Sequence, residues 1–167
     1  MPEPLRAPSP PVYQLRVVLR GISPLIWRRL LVRSDTTLAR LHDILQVAFG
    51  WDDVHLHRFK VRGRELDAVD GPQVRLSDFG LRPTERFVYD YDFCDLWRHD
   101  VRVEQILDVE PGRTYPVCTG GRRAGPPEDC GGSLGLPGTG PGPPYLRRSR
   151  PGSRDRDGDP RRRHQTG

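Results

Sequence analysis

From Phe87 to Val103 apolar and polar side chains alternate twice, and a short connection at Phe93–Leu96 separates the two runs. Period two is the signature of a strand with one buried and one solvated face. Phe87, Tyr89 and Tyr91 share one face, as do Trp97, His99, Val101 and Val103 beyond the turn. The spacing predicts a hairpin, and its tip, Asp90-Tyr91-Asp92-Phe93-Cys94-Asp95, is crowded with carboxylates. A chain built on such a hairpin needs more strands, or a helix, to cover the aromatic face.

The rest of the chain supplies both. Tyr13, Leu15, Val17 and Leu19 alternate with Gln14, Arg16 and Arg20, and after Gly21-Ile22-Ser23-Pro24 a second strand follows over Leu25–Val32. Leu38, Leu41, Leu45 and Ala48 recur at helical spacing, Thr37 can cap the start and Gly50 the end, so a helix is predicted from Thr37 to Phe49. His55, His57, Phe59 and Val61 alternate with Arg58, Lys60 and Arg62 as a further strand, and Leu76–Phe79 reads as one helical turn. Pro111–Gly132 has no periodicity and reads as loop. These elements predict an α+β domain: a mixed or antiparallel sheet with the helix packed on one face, in a β-grasp-like order.

Composition divides the chain. Residues 133–167 hold eight arginines and three aspartates among many Gly and Pro, whereas residues 1–132 hold 19 basic and 19 acidic side chains. The net charge of +5 therefore resides in the tail, and a basic pI is no argument for nucleic acid. Three domains of behaviour are expected: a Pro-rich disordered start at 1–11, a folded domain at 12–132, and a disordered low-complexity tail at 133–167. The folded part is polarised, with +6 on residues 1–64 and −6 on residues 65–132. There is no apolar run of about 20 residues and no signal-like start, and three cysteines make no disulfide framework, so a cytoplasmic protein without membrane contact is expected.

The runs Tyr13–Arg33, Gly50-Trp51, His55-Leu56-His57-Arg58-Phe59, Tyr89-Asp90-Tyr91-Asp92-Phe93, Trp97-Arg98-His99 and Pro126-Pro127-Glu128-Asp129-Cys130-Gly131-Gly132 together resemble the plasmid-Ri ORF-3-like family over about residues 12–132. The resemblance implies an α+β domain, and a setting on plasmids and insertion elements of bacteria and archaea. It implies no mechanism. Some members carry a resolvase label, but serine recombinases need a serine just after a Tyr-x-Arg-Val motif, and Tyr13-Gln14-Leu15-Arg16-Val17-Val18 has neither that spacing nor the serine. The family pattern usually has glycine where Cys94 stands, which predicts strain there if that residue has positive φ. It commonly has cysteine where Gly125 stands, which would make a three-thiol cluster with Cys118 and Cys130. It also usually continues after the paired glycines with a Trp-Gly-Tyr segment and a helix. Codons for Ser133–Pro143 can be chosen so that the shifted frame reads Pro-Trp-Gly-Tyr-Arg-Glu-Leu-Val-Gln-Ala-Leu, which is compatible with a frameshifted end; the alternative is a genuine low-complexity extension.

Candidate sites follow from residue chemistry. Asp90, Asp92, Asp95 and His99 could bind a divalent metal or form an acid/base pair; the plainer alternative is carboxylates capping turn amides and a histidine packed beside Trp97. Asp92, Asp95 and His99 are the catalytic candidates. Cys118 and Cys130 are weaker metal candidates, because they lack C-x-x-C spacing. His55 and His57 could be ligands or core-edge residues, and Glu128-Asp129 with the following glycines could be an ordered functional loop. Arg28, Arg29, Arg58, Lys60 and Arg62 could form a phosphate-binding face with Trp27 and Trp51 available for stacking. The expected function is an accessory binding module with a protein partner, ahead of a metal-dependent or nucleic-acid-processing enzyme and of direct DNA binding.

Overall fold

The computed structural model describes residues 8–133, 135 and 136. Of the ends expected at 1–11 and 133–167, residues 1–7, 134 and 137–167 lie outside the described residues, and so does most of the shifted-frame stretch. Element order is β1 Val12–Leu19, β2 Ile26–Arg33, α1 Leu38–Phe49, β3 His57–Val61, β4 Arg64–Asp67, a 3-10 turn Leu76–Phe79, β5 Arg86–Tyr91, β6 Trp97–Leu107 and β7 Val117–Arg122. One sheet holds all seven strands in the order β4-β3-β5-β6-β1-β2-β7.

The α+β class with β-grasp-like order is therefore corrected: the described residues form mainly a wide antiparallel sheet carrying, among them, a single twelve-residue α-helix. Every strand pairing is antiparallel. The reason lies in β6. Its eleven residues pair with β5 on one side and with β1 on the other, so β1 meets β6 and β2 and has no parallel neighbour. Two edge strands then widen the sheet. Arg64-Glu65-Leu66-Asp67 buries one side chain, and β7 lies inside the stretch that reads as loop, with Gly120 and Gly121 in its middle. Short, charged or glycine-bearing edges are how a sheet avoids pairing with a second sheet.

The helix and hairpin are where alternation and helical spacing place them. Thr37 caps α1 by accepting from Arg40 N–H at 3.2 Å, and Gly50 closes it at φ 77, a conformation that costs glycine little. Leu38, Leu41, Ile44, Leu45 and Phe49 join Leu15, Val17, Phe59, Phe87, Tyr89, Tyr91, Trp97, Val101 and Val103 in one core. Leu136 packs on that core from beyond the expected boundary at 132. Burying a side chain such as Leu41 stabilises by roughly 2 kcal/mol. Two polar side chains, His42 and Gln46, stand one turn apart on the same buried face of α1, and they turn the helix from packing to chemistry.

Candidate metal centre

Four segments meet at one corner: the end of α1, the connection 51–56, the β5–β6 turn and the loop 126–131. The connection is anchored by hydrogen bonds that leave little choice of orientation. Asp53 N–H donates to Gln46 Oε1 at 3.0 Å, which aims Gln46 Nε2 at the Tyr89 hydroxyl, 3.0 Å away. That hydroxyl, already accepting, donates to His42 Nδ1 at 2.8 Å, and His42 Nε2–H donates to Asp53 Oδ1 at 2.7 Å. His57 stacks on His42 with ring centroids 3.5 Å apart. Burial, then the neighbouring His42, lowers the His57 pKa to about 4, and burial pushes the Tyr89 phenol well above its ordinary value.

The loop 126–131 is tied down in the same way. Trp51 Nε1–H donates to Pro126 O at 2.8 Å, Gly131 N–H donates to Asp95 Oδ2 at 3.1 Å, and the Tyr91 hydroxyl donates to Glu128. Burial, then Glu128, raises the Tyr91 pKa. These bonds carry Asp129 to His55 and Asp92. Asp92 is buried, and its Oδ1 accepts from Cys94 N–H at 2.9 Å and Asp95 N–H at 3.2 Å, which shapes the turn. Its Oδ2 faces His55 Nε2 at 3.6 Å, while Asp129 Oδ1 approaches the same nitrogen at 3.2 Å. His55 Nε2 is shielded from solvent and makes no hydrogen bond of acceptable geometry, although two carboxylates flank it.

Two groups of ligand atoms, His55/Asp92/Asp129 and His42/Asp53/His57, each lie within 4.8 Å of one another. They differ in availability. In the second, both His42 nitrogens are committed to Tyr89 and Asp53, so an ion would have to break that chain. In the first, Asp92 keeps its turn with Oδ1 and offers Oδ2, and Asp129 reaches in from the exposed loop. One imidazole and two carboxylates suit zinc, manganese or iron(II).

The structure divides the sequence-predicted constellation. Asp90 and Asp92 are both buried, but Asp90 lies on the sheet face away from α1, clamped by Arg98 at 2.7 and 2.9 Å and Arg58 at 3.2 Å. Burial alone would raise its pKa; the bonds from Arg98 and Arg58 outweigh burial and hold it below the ordinary carboxylate value. Asp92 leaves the strand at φ 58, so period two ends before it. His99 is fully buried against Phe49, Trp51 and Tyr89, with Nδ1 3.2 Å from Tyr89 O, and burial lowers its pKa to about 4. Asp95 holds Gly131. Of the four, Asp92 alone falls in a ligand group.

The cysteines fall outside both ligand groups among the described residues. Cys118 is exposed on β7, its thiol 3.3 Å from Gly120 O, and burial followed by Asp95 raises the Cys130 pKa. The expected strain at Cys94 is not there: positive φ falls on Asp92 and Leu96 instead. A side chain at Gly125 would put its Cβ 2.1 Å from Phe49 O, so a third thiol has no room at that position.

The five basic candidates are likewise engaged. Arg28 donates to Ala48 O and lies over Phe49 on the helix side of the sheet; Arg29 pairs with Glu104, Arg58 with Asp90 and Glu65, Lys60 with Glu65, and Arg62 with Glu85. They do not form a free basic face. His42 and Asp53 escaped the sequence reading; a histidine in the apolar stripe of α1 was the available signal.

The family model described as plasmid pRiA4b ORF-3-like protein matches residues 11–138. The chain belongs to that family. Uncharacterized protein y4hQ of Sinorhizobium fredii is similar to this ORF-3-like chain at 34% identity, over 74% of the chain and 69% of the relative. The crystal structure of a protein of unknown function, MM3350 from Methanosarcina mazei Go1, is similar at 38% identity with a TM-score of 0.71, covering 75% of this chain and 76% of that one. In this ORF-3-like chain the segments that carry the resemblance, Trp51, His55–Phe59, Tyr89–Phe93 and Pro126–Gly132, converge on the corner just described. No described helix is long and apolar enough to cross a membrane.

Proposed function

We propose that this ORF-3-like domain is an accessory binding module whose centre is a divalent-cation site made by His55, Asp92 and Asp129. The observation that carries the reading is the shielded, unbonded Nε2 of His55 between two carboxylate oxygens. A cation there would satisfy all three groups at once, and its remaining positions would be open toward solvent on the side of Asp129, which is 76% exposed. A partner's carboxylate or carbonyl would complete the coordination and make binding metal-dependent. The family's plasmid description supports a setting among passenger proteins of mobile elements.

The open position also favours a second reading, metal-assisted hydrolysis, in which the ion would hold a water of lowered pKa. Calorimetric titration with zinc and manganese tests the centre: one equivalent bound by the chain, and at least tenfold weaker binding by His55→Ala, is the expected result. Unchanged affinity in that variant would reject the centre. Turnover of phosphoester or peptide substrates that follows metal loading would move the second reading ahead of the first.

A further inference from the structure

The strand register places four arginines side by side on the sheet face that α1 leaves uncovered. Arg86 on β5 stands opposite Arg102 on β6, Arg102 opposite Arg16 on β1, and Arg16 opposite Arg29 on β2. At a strand spacing of about 4.8 Å the row is roughly 14 Å long. Like charges directly across a sheet destabilise it. One facing carboxylate, Glu104, is held by Arg29 at 2.6 and 3.1 Å and also feels the charge of Arg16. Arg16, Arg86 and Arg102 make no ion pair among the described residues, and the Nε atoms of Arg16 and Arg102 are shielded yet unbonded. On β5 and β6 the other acids of this face are taken: Asp100 by Arg20, and Asp90 by Arg98 and Arg58.

Trp27 lies beside the row. Its indole sits under the guanidinium groups of Arg16 and Arg29, 5.1 and 5.4 Å from the ring centroid. On the neighbouring strand Gly120 presents no side chain over the indole; a Cβ there would already be 3.5 Å from it. Three guanidinium groups of the row, free of ion pairs and next to a flat aromatic, match a chain of phosphates carrying bases.

We propose that this face binds single-stranded nucleic acid, with the backbone phosphates along Arg86, Arg102 and Arg16 and a base against the Arg16–Trp27 stack. The inference is independent of the metal centre, which is built at the corner beyond the end of β5. It also differs from the basic face expected from sequence, since four of those five residues are bound to carboxylates and Arg28 to backbone carbonyls.

The test is fluorescence anisotropy of a labelled oligothymidylate or oligouridylate with the full chain, from 50 to 200 mM salt. The arginines of residues 133–167 are common to every variant, so differences between variants report the row. Arg16→Gln/Arg102→Gln is expected to lose at least tenfold in affinity and to flatten the log–log salt slope by about 1.4, two phosphates' worth for a single strand. Its Tm should hold or rise, because two facing like charges are removed. Arg40→Gln/Arg113→Gln, removing equal charge elsewhere, should bind as the parent does. Equal affinity and slope in the first pair, an equal loss in the second pair, or displacement of the oligonucleotide by polyglutamate at matched charge would each overturn the proposal.

Discussion

Asp90 and Asp92 stand two residues apart, and both are buried, yet they belong to different regions of the molecule. Asp90 is inside the sheet's outer layer, where two arginines close around it and every oxygen is used. Asp92 is one step past the strand end, where one oxygen shapes the turn and the other faces a histidine without bonding it. Burial alone does not mark a functional carboxylate. A saturated carboxylate is structure, and one with an unspent oxygen beside an unspent nitrogen is a site.

The comparison predicts opposite outcomes for similar changes. Asp90→Ala should be the most damaging to stability, at about 3 kcal/mol by denaturant unfolding, because two guanidinium groups lose their buried partner. Metal affinity of the folded protein should stay within twofold of the parent. An effect under 1 kcal/mol would show that the clamp is dispensable.

His99 gives the next effect. The folded state keeps it neutral down to about pH 4, while in the unfolded chain it takes a proton near 6.5. Between those values the unfolded state binds more protons, so stability falls as pH falls from about 6.5 to 4, by an amount on the order of 3 kcal/mol. His57, also held to about 4, acts in the same direction. His99→Phe should reduce the acid sensitivity in this window; an unchanged pH profile would place the lost protons elsewhere.

Asp92 separates folding from ligation. Asp92→Ala removes the acceptor for Cys94 and Asp95 amides and should cost about 1 kcal/mol. Asp92→Asn keeps a turn-capping oxygen and removes the charge, so it should cost less stability than Asp92→Ala. Its metal affinity should nevertheless fall by at least tenfold. Equal metal binding by the Asn variant and the parent would return Asp92 to a turn-forming role.

Elements with strong periodicity were legible in the sequence, and their arrangement was not. Tyr13–Leu19, α1 and the β5–β6 hairpin announce themselves through alternation or helical spacing. β7 did not, because Val117-Cys118-Thr119-Gly120-Gly121-Arg122 buries no side chain fully and is held by its pairing with β2. The grasp-like order failed because no local pattern reveals that β6 serves two neighbours at once. The site was half legible. Asp92 stood out in its acidic turn, whereas its partners come from 37 residues away on each side, Val54–His55 before and Glu128–Asp129 after. His99 looked like a ligand by its place in that stretch, but the sheet face it shares with Trp97 sends it into the core. Arg16, Arg86 and Arg102 are distant in sequence and are adjacent through register alone.

The central claim is the His55–Asp92–Asp129 centre, and X-ray absorption at the zinc edge of the full chain, loaded with one equivalent of zinc, tests it most directly. The account predicts a first shell of nitrogen and oxygen at about 2.0–2.2 Å, with an imidazole signature lost in His55→Ala. A sulfur shell at about 2.3 Å would assign the metal to the cysteines, and a hydrated ion unaffected by His55→Ala would assign it to no site in the protein.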